Sequence, residues 1–233
     1  MTSDRSTPLL QLQGVRKTYT SANAALEVLK GIDFEIRPGE FVAVMGKSGA
    51  GKTTLVNMIA GIDALSGGEV LFAGASVHHL GENQRSRWRG RSLGIVYQSF
   101  HLLPTLSLLH NVLFPMDVCG LYHPRRSRAR ALELLRSVEL EEHAQKLPSA
   151  ISGGQQQRAA IARALANDPP LILADEPTGR LDTITAETIL RVFEELAAQG
   201  KAVLMVTHEA SLAGRVTRCL RLENGLLHPY EAG

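Results

Sequence analysis

The chain has 233 residues and a mass of 25.2 kDa, which suits one α/β domain with a subdomain and is too short for two full-sized domains in tandem. With 44% hydrophobic residues, 21% charged residues and a net charge of +2, it is neither a disordered nor a strongly polycationic chain. The small net charge does not identify a binding partner. The two cysteines, Cys119 and Cys219, have no disulfide or zinc-site spacing, and we expect both to be reduced thiols in the core.

We expect no export signal at the beginning of the chain. The segment MTSDRSTPLLQLQG contains Asp4 and lacks an apolar stretch of signal-peptide length, so we expect the chain to stay in the cytoplasm. The apolar runs at 41–45 and 202–206 are far shorter than the roughly 20 residues that cross a bilayer. If the protein works at a membrane, another chain must provide the span.

The first hundred residues are rich in β patterns. Short apolar runs separated by Gly31 and by the turn Arg37-Pro38-Gly39 predict an antiparallel edge sheet, and a continuous apolar run predicts a strand buried on both faces. The predicted strands lie at 9–12, 14–19, 29–36, 41–45, 69–73 and 93–98, and the predicted helices at 53–60 and 83–89.

Helical periodicity replaces the β pattern between about residues 99 and 168. Pro124 is placed to begin one of these helices and Pro169-Pro170 to stop the last, so we predict a helical insertion before the parallel sheet resumes. The predicted helices are 107–119, 126–138 and 154–166, followed by strand 171–175, helix 185–199, strand 201–206 and a hairpin that turns at Asn224-Gly225.

A glycine-rich loop stands between the predicted strand 41–45 and the predicted helix 53–60. Its sequence, Gly46-Lys47-Ser48-Gly49-Ala50-Gly51-Lys52-Thr53, fits the pattern G-x-x-x-x-G-K-[ST] of a phosphate-binding loop, and we expect residues 46–54, including Thr54, to enclose phosphates. Gly46, Gly49 and Gly51 are expected to adopt backbone angles closed to other residues, so that N–H groups point inward. Lys52 should reach the β- and γ-phosphates and Thr53 should hold Mg²⁺. The alternative is a chance glycine-rich turn.

An acidic pair, Asp175-Glu176, ends the apolar strand 171–175. Because side chains alternate along a strand, we expect Asp175 to bind Mg²⁺ through water and Glu176 to face the γ-phosphate as general base. The alternative, a solvated strand end, loses weight downstream of a phosphate-binding loop.

The segment Ile151-Ser152-Gly153-Gly154-Gln155-Gln156-Gln157-Arg158 resembles the L-S-G-G-Q signature of ABC ATPases, and with the two motifs above the resemblance covers nearly the whole chain. Ser152 can cap the following helix, and the paired glycines let a second phosphate approach its N-terminus. The resemblance implies an α/β fold: a P-loop NTPase (RecA-like) core with an antiparallel β subdomain and a helical signature subdomain. It predicts one ABC ATPase domain over 1–233, with the helical subdomain at about 99–168.

Family resemblance also implies the remaining roles. Tyr19 looks like the aromatic residue that stacks on adenine, Asp182 like the D-loop aspartate, and His208 like the switch histidine at the γ-phosphate. Gln98 looks like the Q-loop glutamine that links Mg²⁺ and water to the helical subdomain. The implied catalytic residues are Lys52, Gln98, Glu176 and His208; the implied metal ligands are Thr53, Gln98 and Asp175; the implied nucleotide contacts add Tyr19, residues 46–54, Ser152, Gly153, Gly154, Gln155 and Asp182.

The resemblance further implies a head-to-tail homodimer that encloses two ATP molecules and hydrolyses them with Mg²⁺. The segments 98–106, 151–158 and 174–179 look like the lipoprotein-releasing and macrolide-export branch, whose motors drive a permease with a large extracytoplasmic domain from the cytoplasmic side of the inner membrane. Three residues depart from the family pattern: Lys47 stands where proline is usual, Thr53 where serine is usual, and Arg180 where asparagine is usual.

Two basic segments admit other functions. Arginines around Trp88 at 85–91 could bind a nucleic-acid backbone, but the small net charge favours a solvated helix and no nucleic-acid partner. The arginines at 125–130 also read as a helix face, which could lie near anionic headgroups. The competing functions are a soluble ABC ATPase acting on DNA or ribosomes, which would need a long coiled coil or a second domain, and a regulatory ATPase of cell-envelope remodelling without transported cargo.

Overall fold

The computed structural model describes residues 7–21 and 24–230, apart from the side chain of Ala210, so expectations about the first six and last three residues lie outside its scope. Its strands, in chain order, are β1 Leu10–Ser21, β2 Ala24–Ile36, β3 Phe41–Met45, β4 Gly67–Phe72, β5 Ala75–Ser76, β6 Leu93–Tyr97, β7 Leu171–Asp175, β8 Ala202–Thr207, β9 Arg218–Glu223 and β10 Leu226–Pro229. Its α-helices are α1 Lys52–Ile59, α2 Glu82–Ser92, α3 Leu108–Val118, α4 Pro124–Ser137, α5 Gly153–Ala164 and α6 Thr183–Ala198, with short 3-10 turns at Glu141–His143, Pro148–Ala150 and Ala210–Gly214.

The strands form two sheets. A six-stranded sheet has the order β10-β9-β3-β8-β7-β6, in which the five strands from β9 to β6 pair in parallel and β10 is antiparallel to β9. A four-stranded antiparallel sheet has the order β2-β1-β4-β5. The predicted α/β core with an antiparallel β subdomain is confirmed.

Side-chain alternation divides the core between the two faces of the parallel sheet. Phe41 and Met45 pack on the side covered by α3, α4, α5 and α6, whereas Val42 and Val44 pack on the side covered by α1 and the antiparallel sheet. Every residue of β3, β7 and β8 is buried, because both faces are covered. The continuous apolar runs in the sequence therefore correspond to the centre of this sheet.

Several predicted boundaries were wrong. Predicted strands 9–12 and 14–19 form one strand with a register irregularity after Leu12, where the Gly14 N–H donates to Asp33 Oδ1 at 2.8 Å. The second strand begins at Ala24, five residues before the prediction, because its first residues are exposed and lack a burial pattern. The short strand β5 was not predicted, and α5 ends at Ala164, before the two prolines could stop it.

The final hairpin was predicted correctly. Asn224 (φ 51°) and Gly225 (φ 82°) are both left-handed, as the commonest two-residue hairpin turn requires, and they join Glu223 to Leu226. The cysteines differ from expectation, because Cys119 and Cys219 are half-buried rather than core residues, although both are free thiols. Burial raises the pKa of the Cys219 thiol.

The basic segment around Trp88 forms most of α2, and the Trp88 and Arg89 side chains serve local structure. The Trp88 ring meets the Phe72 ring edge-on, with centroids 5.4 Å apart. Arg89 donates to the carbonyls of Ala60 and Gly61, where the end of α1 leaves acceptors without helical partners. Trp88 is therefore packed against the antiparallel sheet rather than held out from the surface.

Within residues 7–21 and 24–230, none of the helices combines the length and the apolar character needed to cross a bilayer.

Candidate nucleotide site

The glycine-rich loop and the residues predicted to be catalytic gather at one edge of the parallel sheet. The glycine-rich loop follows β3, Gln98 follows β6, Asp175 ends β7 and His208 follows β8. Since parallel strands point the same way, their carboxyl ends meet at one edge, which is the usual ligand-binding edge of open α/β sheets.

The loop conformation depends on glycine at two positions. Gly49 (φ 80°) and Gly51 (φ 101°) are left-handed, and a Cβ at Gly51 would lie 2.8 Å from Val28 Cγ1. Gly46 is a correction to the expectation, because its φ is not positive. Space limits that position instead, since a Cβ there would lie 3.0 Å from the Leu222 carbonyl oxygen.

Lys52, the first residue of α1, is only 6% exposed and points back into the loop. Its Nζ donates to the carbonyl oxygens of Gly46 at 2.7 Å and Lys47 at 3.0 Å. The same ammonium lies 3.1 Å from Glu176 Oε1. An ammonium held in this way places a fixed positive charge at the centre of the loop.

Glu176 enters the same cavity as Asp175, and strand alternation is not the reason. Alternation would send neighbouring side chains to opposite faces, but Glu176 has left the strand with φ 48°, and its N–H donates to the Val206 carbonyl at 2.9 Å. A left-handed non-glycine residue is a strained conformation of the kind found at functional sites. Its second oxygen, Oε2, lies 2.6 Å from Nδ1 of the half-exposed His208.

Thr53 and Asp175 form a pair of oxygen ligands suited to magnesium. Thr53 Oγ1 donates to Asp175 Oδ2 at 2.8 Å. Burial raises the pKa of Asp175 and the nearby Glu176 charge adds to this, while Thr53 and Lys52 oppose it. A divalent cation would supply the positive charge that this carboxylate lacks. No group of three or more His, Cys, Asp or Glu side chains in the described chain could hold a metal, so nucleotide and water oxygens would have to complete the coordination of Mg²⁺.

A cavity of about 360 Å³ unites most of these groups. It is lined by Val28, Ser48, Gly49, Gly51, Lys52, Thr53, Thr54, Gln98, Asp175 and Glu176. A neighbouring cavity of about 620 Å³ shares Ser48 and Gly49 with it and is also lined by Gly46, Lys47, Ala50 and His208. Sequence reasoning missed Val28, which lies one residue before the predicted strand 29–36.

Tyr19 lies on β1 and does not line the 360 Å³ cavity. Its ring, in a side chain that is 41% exposed, lies beneath the ammonium of Lys17, with 4.7 Å between Nζ and the ring centroid. Lys17 is in turn held by Asp63 at 2.8 Å. The Tyr19 ring is thus accessible to solvent, but one of its faces is packed against the Lys17 ammonium in this conformation.

The signature segment begins α5. The Gln155 N–H donates to Ser152 Oγ at 3.3 Å, and the Ser152 N–H donates to Gln155 Oε1 at 2.9 Å, which forms a capping box. Gly154 lies against α6, since a Cβ there would be 2.7 Å from Thr185 Cγ2. A cavity of about 210 Å³ opens between these helix starts, and in the described chain its lining shares no residue with the 360 Å³ cavity.

Asp182 caps α6. Its carboxylate accepts from the Thr185 N–H at 3.0 Å and from Thr185 Oγ1 at 2.7 Å, and these bonds lower the pKa of Asp182. The Thr185 side chain that touches Gly154 is therefore fixed by Asp182. Gly153 and Gln155 belong to the same group of helix starts.

Gln98 lies on a loop that is attached to the signature helix. Its Nε2 and the Glu176 carboxylate both reach Gly179, where a Cβ would meet them at 2.8 Å and 3.4 Å. Arg163 of α5 donates to the carbonyl oxygens of Phe100 and His101, both left-handed residues, and Gln157 donates to the Tyr97 carbonyl at 3.4 Å. Sequence reasoning gave no role to Arg163, because a single arginine in an amphipathic helix carries no distinctive signal.

A parallel sheet with a phosphate-binding loop after one strand, with the strand-end Asp175 bonded to Thr53 and with Glu176 beside Lys52, defines a P-loop nucleoside triphosphatase. Comparison with known proteins narrows this class. Residues 29–179 match the family described as ABC transporter, and the chain belongs to that family: it is the ATP-binding, ATP-hydrolysing cassette of an ABC transporter.

Several curated proteins resemble this chain over nearly its whole length. It is 45% identical to "Lipoprotein-releasing system ATP-binding protein LolD" of Paramagnetospirillum magneticum, covering 94% of this chain and 96% of the relative. It is 43% identical to an "Uncharacterized ABC transporter ATP-binding protein" of Thermotoga maritima, covering 96% and 95%. It is 44% identical to "Macrolide export ATP-binding/permease protein MacB" of Syntrophobacter fumaroxidans, where 95% of this chain spans only 31% of the relative.

Solved structures agree with these relatives. The chain superposes on the dimeric structure of MJ0796, a bacterial ABC transporter cassette, with a TM-score of 0.88 and 39% identity over 96% of this chain and 100% of the other. A dimeric post-hydrolysis state of the same cassette, bound to ADP and Pi, matches with a TM-score of 0.87 and 38% identity, again over 96% and 100%.

Proposed function

We propose that two copies of this chain enclose two ATP molecules head to tail, and that their closure and reopening drive a separate membrane permease in export or lipoprotein extraction. The observation that carries the proposal is that the two segments predicted to bind phosphate lie apart in one chain. The loop around Lys52 and the signature around Ser152 line different cavities. A γ-phosphate that touches both surfaces therefore needs the signature of a second copy. The dimeric cassettes at 38–39% identity support this arrangement.

Each proposed site divides its work among charged and polar groups. Lys52 binds the β- and γ-phosphates, and residues 46–54 surround them with N–H groups. Thr53, Asp175 and Gln98 would hold Mg²⁺, which when bound would neutralise charge on the phosphate oxygens. Ser152, Gly153, Gly154 and Gln155 of the partner subunit approach from the other side, Asp182 contributes at the same interface, and Tyr19 stacks on adenine.

Hydrolysis needs a base for the attacking water. Glu176 accepts the proton as water attacks the γ-phosphorus, and ADP leaves with the bridging oxygen. His208, which already contacts Glu176 Oε2 at 2.6 Å, orients this carboxylate and contacts the γ-phosphate. Loss of the γ-phosphate removes the link between the two subunits, so the dimer opens.

An exposed apolar surface on the helical subdomain supports the coupling to a permease. Phe114 and Val118 on α3 are 43% and 62% exposed. Residues 99–121 also include the loop that Arg163 attaches to the signature helix, so a rearrangement at Gln98 has a mechanical route to this surface. We propose that this segment meets cytoplasmic helices of a permease with an extracytoplasmic domain, at the cytoplasmic face of the inner membrane. The names of the LolD and MacB relatives favour this partner.

Cysteine cross-linking tests the proposed coupling surface. In a background with Cys119→Ser and Cys219→Ala, Val118→Cys should cross-link to the permease that co-purifies with the chain. Ile62→Cys is the matched control, because this side chain is also apolar and 47% exposed but lies just after α1. A cross-link that forms only from position 62 would reject the surface, and failure of any membrane protein to co-purify would reject the permease partner.

A further inference from the structure

Five arginines lie on helix ends that neighbour one another: Arg87 and Arg91 in the last turns of α2, and Arg125, Arg126 and Arg128 in the first turns of α4. We call this group the arginine corner. All five residues are exposed. The end of α3 lies between the two arginine-bearing segments and joins them.

Contacts establish that these segments are neighbours. Arg91 Nη2 donates to the carbonyl of Cys119, the residue that caps α3, at 3.1 Å. A Cβ at Gly90 would lie 2.4 Å from Cys119 Sγ, so the last turn of α2 touches the end of α3. Four residues separate Cys119 from Pro124, the first residue of α4. Even fully extended, this connection spans less than about 18 Å.

The arginine corner is poorly neutralised. In the part of the chain that the structure describes, Arg87, Arg125, Arg126 and Arg128 form no ion pair and no side-chain hydrogen bond. The segments 87–91 and 117–129 together contain six arginines and a single acid, Asp117. By contrast, Arg130 in the next turn of α4 is paired with Glu133 and Asp168.

The position of these charges on α4 is unfavourable for the isolated protein. The first turn of α4 has no acidic residue, and His123 supplies no side-chain cap. Cations at a helix N-terminus oppose the helix dipole, and like charges three or four residues apart repel each other. An external anionic surface would relieve both effects.

Exposed apolar side chains border the same corner. Leu121 and Tyr122 are 38% and 42% exposed, and they occupy the connection between α3 and α4, beyond the Phe114 and Val118 surface that we propose for the permease. Arginines beside an aromatic ring and aliphatic side chains suit the boundary between lipid headgroups and acyl chains, where the cations meet phosphates and the apolar groups insert shallowly.

We propose that the arginine corner binds the anionic phospholipid surface of the membrane and orients the cassette beside its permease. The inference rests on the proposed function for its context, a motor working at a membrane, but the contact itself needs no permease. Charge complementarity favours a bilayer over an acidic protein segment, because the arginines are spread over two helices and accompanied by an apolar border rather than aligned in a groove.

Vesicle sedimentation tests the proposal on the purified chain without a permease. The wild-type protein should sediment with vesicles of phosphatidylglycerol and phosphatidylcholine at about 0.1 M salt and should stay in solution with phosphatidylcholine alone. Replacing Arg125, Arg126 and Arg128 with glutamine should lower partitioning about a hundredfold, taking about fivefold for each arginine lost at the surface. ATP hydrolysis by this variant should be unchanged.

The matched control removes the same number of charges from other faces of the protein. The triple variant Arg16→Gln, Lys30→Gln, Arg191→Gln should leave partitioning within about threefold of the wild type. Its lost charges lie on other faces of the protein, where salt screens their attraction to the bilayer within a Debye length. Equal loss in both triple variants would show unspecific attraction and overturn the proposal.

An orientation measurement separates lipid contact from simple sedimentation. Trp88 is the only tryptophan in the sequence and lies between Arg87 and Arg91 on α2. Energy transfer from Trp88 to dansyl-labelled headgroups should appear with anionic vesicles and disappear in the corner variant. No binding of the wild type to anionic vesicles, with loss of permease co-purification in the corner variant, would assign the surface to a protein partner instead. If the wild type binds anionic vesicles but no membrane protein co-purifies with it, the proposed function is refuted and the lipid contact is not.

Discussion

Glu176 and Lys52 form an ion pair inside the phosphate cavity, with Glu176 Oε1 3.1 Å from Lys52 Nζ. The γ-phosphate that we propose for this cavity carries negative charge to the same ammonium, so nucleotide binding must loosen the pair and free the carboxylate to face water. His208 holds the other carboxylate oxygen at 2.6 Å and can keep Glu176 in place during this exchange.

Glu176→Gln should keep ATP binding and trap a dimer. The amide cannot accept a proton from water, so hydrolysis should fall by at least about a hundredfold, the usual contribution of a general base. It also removes a negative charge beside the γ-phosphate, which should strengthen binding. Size-exclusion chromatography with ATP and Mg²⁺ should show twice the monomer mass; a monomer alone under these conditions would contradict the shared site.

Lys52→Ala should abolish hydrolysis and weaken ATP binding. The change removes the cation that lies among the Gly46 carbonyl, the Lys47 carbonyl and Glu176. Nucleotide titration and phosphate release would measure the two effects, and a thermal melt would check that the variant is folded. Turnover equal to the wild type would refute the assigned role.

Gly154→Ala should impair ATP-dependent dimerisation through a contact with α6. The new Cβ would lie 2.7 Å from Thr185 Cγ2, and Thr185 cannot rotate freely because its hydroxyl donates to Asp182. Thr185→Ser removes the clashing methyl group and keeps the hydroxyl. The double variant should therefore recover dimerisation relative to Gly154→Ala, as measured by ATPase activity against protein concentration. Failure of the serine change to restore any activity would show that the clash is not the cause.

Asp182 allows its cap to be separated from its proposed role at the dimer interface. Asp182→Ala should lower the free energy of unfolding measurably in a denaturant titration, because the first turn of α6 loses a side-chain acceptor. Asp182→Asn should keep most of this stability, since asparagine also caps helices well. If the carboxylate charge acts at the interface, both variants lose ATPase activity; normal activity in the asparagine variant would limit Asp182 to the cap.

Much of the architecture follows from local sequence. The all-buried strands β3, β7 and β8 appear as continuous apolar runs because both faces of the sheet are covered, and the Asn224-Gly225 turn needs only two residues that tolerate positive φ. The phosphate-binding loop is similarly local: its glycines, lysine and threonine are consecutive, so their spacing predicted the loop before its shape was known.

Tertiary structure decided how the remaining groups are presented. Glu176 shares a cavity with Asp175 because its N–H bonds to Val206 on the neighbouring strand and its φ is 48°, not because side chains alternate. Gly154 meets Thr185 through a contact between residues on two different helices, α5 and α6. The sequence by itself therefore determined the motifs and the sheet core, whose patterns are short-range. Only the packed chain determined which motif faces which, because those distances join residues far apart in sequence.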